Sequence, residues 1–479
     1  MAPRPEPGRA CVRKGRLQPV TSSPAVTNLS VRPVRRARQE GLLEAVIAAP
    51  ADGDSSGGWA VRVRGHVLSA TSPVQSVEAV VPGTILAAAI PELPTPDVAS
   101  RHPAVPGSAT CGFTLLVDTL GLRPDFEFRL RATLADGTRA KVAIVRGQRR
   151  PLETGYAPRL QPLMVNSLGR TGTTLLMRML AAHPAVVAYA RPPYEARGGK
   201  YWLHVLKTLS APTDVRKRVG APMEFHLEPL AAGGNPFYSS AFEAWPEVET
   251  WSGSTYVENV GAFCQQSIDG WYLATAAGQG QAAEPLVYFA EKHFPDVYPR
   301  LMRELYPAAR EIFLVRDFRD MIASMIAYNE RKGFDDFGRG KAGSDDAWLD
   351  YLHQTFLILR NAWRDRGEPG SLARYEDLVR DPAGALPPLL DYLGLDAEPR
   401  TVSHLIAAAA PDSPELRGHG TTASPDASIG RWRHDLPPEL REAVDEAFGD
   451  LLEAFGYETA RGGRTSRTSR TSRTSGETA

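Results

Sequence analysis

From about residue 41 to residue 150 the apolar positions tend to alternate with polar ones in short runs. Residues 59–67, 76–81, 112–117 and 126–134 each predict a strand. The step Ala135-Asp-Gly-Thr predicts a hairpin turn into a further strand over 141–145. Strands at this spacing, with no helical pattern between them, predict a small β-sandwich over 41–150. No cluster of catalytic residue types stands out within it, so the region reads as a binding or spacer module.

After residue 162 the pattern changes. Apolar runs at 163–167, 286–290 and 311–315 predict buried strands, and helical periodicity follows at 175–182 and 321–328. This alternation to about residue 460 predicts an α/β domain with a three-layer parallel sheet. Pro151, Gly155, Pro158 and Pro162 mark 151–162 as a linker. Residues 1–40 are basic, proline-bearing and without periodicity, and predict a disordered arm; an anionic partner is the functional alternative to a solvated tail. Residues 461–479 repeat Arg-Thr-Ser and predict a disordered tail.

The 479 residues carry 55 Lys+Arg and 55 Asp+Glu, so the chain is no bulk binder of nucleic acid, although a local anion site remains open. No apolar run is long enough to span a membrane. Cys11, Cys111 and Cys264 are sparse and unpaired in spacing, which excludes a disulfide scaffold and a CxxC metal site. That usage fits a reducing, cytoplasmic setting, and no metal is expected.

Candidate chemistry begins where the first strand of the α/β domain ends. Leu168-Gly-Arg-Thr-Gly-Thr-Thr is a glycine-bearing loop between a strand and a helix, and the helix closes at His183-Pro184. Backbone N–H groups and the positive helix end then converge on one spot, a ready anion site. Gly172 lets the backbone approach an anion, Thr173 and Thr174 add hydroxyls, and Arg170 adds a guanidinium. Aligned on Gly172, Ser167 stands where a nucleotide P-loop has its first Gly and Thr173 where it has its Lys. That argues against ATP or GTP.

A second segment repeats the arrangement. The strand at 311–315 runs into Arg316-Asp-Phe-Arg-Asp, and Ser324 lies about one turn into the next helix. Arg316 and Ser324 fit one phosphate; an ion-paired turn is the structural alternative. A third run ends at Glu291-Lys292-His293, where Lys292 either serves the site or pairs with Glu291 at the surface. Arg170, Lys292 and Arg316 each lie at the carboxyl end of a strand, the edge where open parallel sheets bind ligands.

Arg170-Thr-Gly-Thr-Thr-Leu-Leu resembles the phosphosulfate loop of the sulfotransferase family, usually Arg-Ser-Gly-Thr-Thr-Leu-Leu, with Thr171 for the Ser. The second segment resembles the family's 3′-phosphate motif, with Phe318 for the usual Pro. Glu291-Lys292 is similar to a Glu-Lys-x-Pro segment of bacterial members, and residues 428–433 to a late Gly-Arg-Trp segment. The resemblance covers about 160–458 and implies a P-loop-like fold. It also implies 3′-phosphoadenosine 5′-phosphosulfate (PAPS) as donor. Arg170, Thr171, Gly172, Thr173 and Thr174 would then hold the phosphosulfate, and Arg316, Ser324 and Arg431 the 3′-phosphate. Trp432 would lie near the base or anchor its loop, and Lys292 would face the transferring sulfonate.

The acceptor brings a hydroxyl or amine, and carbohydrate, lipid and aryl groups all fit. The resemblance implies a Glu or a His as general base; Glu195 lies near where glutamate-using members place theirs, with His183, His204 and His293 as competitors. Aromatics between residues 225 and 275 are acceptor-binding candidates or helical core, and 332–346 a lid or an ordinary loop. Two other classes remain in view at this point. One is a P-loop kinase or NTPase; the other is a non-catalytic glycan- or protein-binding protein acting through the β domain.

Overall fold

A computed structural model describes residues 23–34, 41–211, 246–282, 285–333, 336–366, 370–409 and 420–459. The Arg-Thr-Ser tail, most of the N-terminal arm and the aromatics Phe225, Phe237, Tyr238, Phe242 and Trp245 lie outside these residues.

The N-terminal region is a two-sheet antiparallel sandwich. Its strands are β1 (Val26–Pro33), β2 (Leu42–Ala49), β3 (Ala60–Ser69), β4 (Val74–Val81), β5 (Thr84–Ala89), β6 (Gly112–Asp118), β7 (Asp125–Leu134) and β8 (Arg139–Arg149). One sheet has the order β1-β8-β7-β4-β5 and the other β2-β3-β6. Val61, Val63, Phe113 and Leu115 of the second sheet pack on Val77, Phe128, Leu130 and Val145 of the first. Period-two burial along β7 turns Phe126, Phe128 and Leu130 inward and leaves Glu127 and Arg129 outside.

Three expectations are corrected here. The disordered arm does not run to residue 40: Val26–Pro33 is an edge strand on β8, held by burial of Val26 and Leu29. The strand is interrupted by a bulge at Asn28, which takes a positive φ of 52°, and this hides its alternation. The sandwich is not free of helix, since Pro96–Arg101 forms a short one with Pro at its first turn. Finally, the stretch expected to be a linker is a packed strap. Leu152 and Leu160 are buried, Thr154 donates to Gln265, and Asp269 accepts from Tyr156 Oη and from the Arg159 and Leu160 amides.

The α/β domain centres on a five-stranded parallel sheet of order β10-β11-β9-β12-β13. The strands are β9 (Gln161–Asn166), β10 (Val186–Val187), β11 (Tyr288–His293), β12 (Arg310–Val315) and β13 (Gly370–Arg374). Successive side chains feed opposite faces. Leu163 and Val165 pack with the helices Thr173–Ala181, Pro382–Leu393 and Pro399–Ala408. Met164 and Phe289 pack with Gly198–Ser210, Tyr256–Gly278 and Val297–Leu305. Phe313 and Val315 pack with Phe318–Lys332, Asp345–Arg364 and Pro438–Ala454. This is the expected three-layer sheet.

Strand β9 is central and pairs with both β11 and β12. The chain leaves β9 toward one side and later returns to the other, so the strand order reverses beside it. In parallel sheets that reversal opens a crevice at the carboxyl edge. The ends of β9, β11 and β12 therefore meet there.

The two regions are firmly joined. Arg149 Nη1 and Nη2 reach the two carboxylate oxygens of Glu304 at 2.7 and 2.6 Å, with the guanidinium buried and the carboxylate nearly so. Lys207 donates to Asp118 Oδ2 at 2.6 Å and to Leu120 O at 2.8 Å. Val297 packs into the sandwich core and Leu120 into the α/β core. Among the described residues no helix is long and apolar enough to cross a membrane.

Candidate active site

A cavity of about 850 Å³ opens at the carboxyl edge of the sheet. Gly169, Arg170, Gly172, Thr173 and Thr174 line it from the loop after β9, Lys292 from β11, and Arg316, Ser324, Tyr328 and Arg331 from the segment after β12. Pro193 and Glu195 close one end, and Phe337, Tyr375, Ser428 and residues 420–425 close others. Among the described lining residues four cations face one carboxylate, so the cavity is built for an anion.

The first loop earns its shape through two left-handed residues. Arg170 has a φ of 67° and Gly172 a φ of 93°. A Cβ on Gly172 would stand 2.2 Å from Tyr375 Cδ2, so only glycine fits. Gly172 is also the N-cap of the helix Thr173–Ala181, and no side chain caps that end. Its free N–H groups face the cavity with the positive end of the helix dipole.

Arg316 is 4% exposed, and no carboxylate lies within ion-pair distance among the described residues. Nη1 donates to Arg170 O at 3.0 Å and Nη2 to Ser428 O at 2.6 Å. Its Nε has no hydrogen-bond partner, and the guanidinium lies 4.7 Å over the Tyr375 ring. A buried cation held only by carbonyls and a ring calls for an anion. Ser324 Oγ accepts from Arg170 Nε at 3.1 Å and lies 3.3 Å from Thr421 Oγ1. Burial, then the charges of Arg316 and Arg431, push the Arg170 pKa down to about 10.

At the other end Lys292 Nζ donates to Thr174 Oγ1 and Glu195 Oε1, each at 3.0 Å, and to Pro193 O. Burial pushes the ammonium pKa down, opposed by the Glu195 carboxylate. Lys292 lies within β11, and the surface pair with Glu291 does not form. Glu291 is buried on the opposite face of the strand. Glu195 is about half exposed and also pairs with Arg197. It sits at the cavity mouth.

Not every expected residue faces the cavity. The Thr171 hydroxyl is turned away, 1% exposed, and donates to Leu168 O at 2.7 Å. Its role is to close the loop. Arg431 stands behind the lining: it pairs with Asp435 and donates to Thr421 Oγ1 at 2.6 Å, and Thr421 touches Ser324. Trp432 anchors its own loop, with Arg319 4.2 Å over its ring and its amide bound to Asp320. Of the competing histidines, His183 ends its helix through the Ala185 amide, His293 is buried beside Glu291, and His204 contacts Tyr298. None lines the cavity. Phe318 packs on Phe356 and Phe455 and fills core where the family has Pro. Trp271 and Tyr272 are packed against Tyr189 and Phe289, which makes them core rather than acceptor contacts.

Tyr328, Tyr375 and residues 420–425 were not singled out from the sequence. Tyr328 follows Ser324 by four residues, one helical turn on the same face, and that spacing is a readable signal. Residues 420–425 join the site only through the tertiary fold.

Residues 162–399 match the sulfotransferase family. Its α/β domain is a domain of that family. It is 31% identical over 111 residues to mouse carbohydrate sulfotransferase 5, a stretch covering 22% of this chain and 26% of that protein. The match thus spans about a quarter of the curated relative. Among solved structures, a sulfotransferase domain from the curacin biosynthetic pathway aligns with 63% of this chain and 100% of its own at 16% identity, TM-score 0.35. Sulfotransferase STF9 from Mycobacterium avium aligns over 63% and 79% at 17% identity, TM-score 0.32. Mouse sulfotransferase SULT7A1, complexed with PAP, aligns over 67% and 92% at 11% identity, TM-score 0.31.

Proposed function

We propose that the protein moves the sulfuryl group of PAPS to a hydroxyl or amine of an acceptor, with carbohydrate or glycolipid the preferred class. The observation that carries this reading is Arg316, a buried guanidinium without a carboxylate partner among the described residues, beside Ser324 at the cavity wall. A 3′-phosphate supplies the missing anion, and that group separates PAPS from ATP. The carbohydrate preference follows the name of the mouse relative.

In this reading the amides around Gly172, the Thr173 and Thr174 hydroxyls and Arg170 hold the 5′-phosphosulfate. Negative charge grows on the bridging oxygen as the S–O bond to the leaving phosphate breaks. Fixed donors aimed at that charge do most of the work, as in phosphoryl transfer. Lys292, held against Thr174 at the edge of that loop, is the ammonium placed to meet this charge. Glu195 takes the acceptor proton as its oxygen or nitrogen bonds to sulfur. The reducing, cytoplasmic setting is kept as part of the proposal; Cys111 and Cys264 are both free and buried.

The test is thermal stabilisation by adenosine 3′,5′-bisphosphate against ATP and AMP, on wild type and Arg316→Ala. A ligand bound only by the native state at a hundredfold excess over its Kd adds about 2.7 kcal/mol. A shift confined to the bisphosphate and lost in Arg316→Ala is expected. A shift with ATP alone would reject the donor in favour of a kinase.

A further inference from the structure

The helix Gly198–Ser210 starts without a capping side chain of its own, because Arg197 occupies its N-cap. Two glycines open it: packing against Trp271 requires the first and leaves little room at the second. A Cβ on Gly198 would stand 2.6 Å from Trp271, and one on Gly199 would crowd Glu291 Oε1 at 3.1 Å. The cap is supplied from across the fold. Glu291 Oε1 accepts from the Gly199 amide at 2.5 Å and from Tyr272 Oη, and Oε2 accepts from the Lys200 amide at 3.1 Å. His293 Nε2 lies 3.2 Å from Oε2.

Glu291 is 1% exposed. Burial alone would raise its pKa, but His293, Tyr272 and the Gly199 amide together hold it below the ordinary carboxylate value. The charge is therefore kept where the helix needs it, since an anion at a helix N-terminus satisfies free N–H groups and complements the dipole.

The next residue on the strand is Lys292. Adjacent strand residues point to opposite faces, so Glu291 and Lys292 reach in different directions. Yet both grip the same short segment. Lys292 holds its start at Pro193 O and its middle at Glu195, while Glu291 holds its end at Gly199 and Lys200. Glu195 lies between the two grips and has no fixed partner other than Lys292 and Arg197 among the described residues.

We propose that Glu291 is a positioning residue: by capping the helix Gly198–Ser210 it fixes the segment that sets Glu195 against Lys292 at the cavity mouth. The inference rests on the reading of Glu195 and Lys292 as the acceptor-side pair. Its structural half is independent of which group is transferred.

The test compares wild type, Glu291→Gln and Glu291→Asp. The Gln amide turns an N–H toward a backbone N–H, so one cap bond is lost; the Asp variant keeps the charge at shorter reach. Acetic anhydride labelling of Lys292, read by mass spectrometry, is measured against Lys207 in the same molecules, and amide exchange is followed over residues 194–200. In Glu291→Gln we expect Lys292 labelling and exchange over 194–200 to rise about tenfold, with Lys207 unchanged and partial recovery in Glu291→Asp. With an acceptor in hand, kcat should fall about tenfold while the KM for PAPS and bisphosphate affinity stay within about threefold.

Unchanged Lys292 labelling, or an equal rise at Lys207, overturns the proposal. Should Glu291→Gln fail to fold, Glu291→Asp carries the test: its shorter reach weakens the bonds to the Gly199 and Lys200 amides, and Lys292 labelling and 194–200 exchange unchanged there overturn the proposal equally. A wild type that binds no bisphosphate, with the Lys292 response intact, rejects the PAPS reading and keeps this one.

Discussion

Arg316 Nη1 donates to the main-chain carbonyl of Arg170 at 3.0 Å. The second anion-binding segment thus holds the backbone of the first in its left-handed turn. The two segments lie 146 residues apart and act as one unit. Loss of Arg316 releases the loop at Arg170 and, in the proposed function, also removes a phosphate ligand. We expect Arg316→Lys to fail as Arg316→Ala does, because a single ammonium cannot reach Arg170 O, Ser428 O and a ligand together. Calorimetry with adenosine 3′,5′-bisphosphate checks this; wild-type affinity in Arg316→Lys would show that charge alone suffices.

Gly172→Ala should cost about 2 kcal/mol or more and abolish nucleotide binding, because the methyl meets Tyr375 and the left-handed backbone is strained. Gly155→Ala is the control. Gly155 also has a positive φ but open space around it, so about 1 kcal/mol is lost and binding persists. Urea unfolding and ligand titration of both variants separate strain from clash.

Glu195→Gln should lower turnover strongly while bisphosphate affinity stays unchanged, since Glu195 lies at the mouth and not among the phosphate donors. Steady-state rates and a binding isotherm on the same preparation decide it. Near-normal turnover would remove Glu195 as the base.

Asp320 accepts from the Gly430 and Trp432 amides, and burial raises its pKa to about 6. The folded state therefore binds this proton more tightly than the unfolded chain. The resulting contribution is present below pH 4 and is lost as pH rises through 6, at most about 3 kcal/mol. Glu44 has the opposite sign. Burial acts to raise its pKa, but His66, Arg101 and His102 bring it down to about 2, so its contribution is lost as pH falls below 4.5. Asp320→Asn should flatten the stability profile between pH 4 and 6 and leave the acid limb in place. Urea midpoints from about pH 2 to about pH 7 measure both.

Glu304→Gln should destabilise by about 3–5 kcal/mol, because it leaves Arg149 charged and buried at the seam between sandwich and α/β domain. Arg149→Met with Glu304→Leu should cost less than either single change, since the pair then leaves no orphan charge. A double-mutant cycle by urea unfolding tests the difference.

The sandwich strands with clean alternation and the two strand–loop–helix anion segments were legible in the chain, because each rests on local periodicity and on residue types that act at short range. Arg170, Gly172, Thr174, Arg316 and Ser324 belong to such segments, and their convergence followed from the rule that parallel strands share a carboxyl edge. The pattern could not reveal β1, whose bulge breaks its period, or the packing of 151–162, whose prolines resemble those of a linker while Leu152 and Leu160 are buried. It could not turn the Thr171 hydroxyl inward or place Arg431 behind Thr421. Nor could it separate Glu291 from Lys292: neighbours in sequence look like an ion pair, and only the pleat of β11 sends one to cap a helix and the other to the cavity. Periodicity and residue type act within a few positions and are written in the chain. Which buried group meets which partner depends on contacts across a hundred residues or more, and only the packed fold decides them.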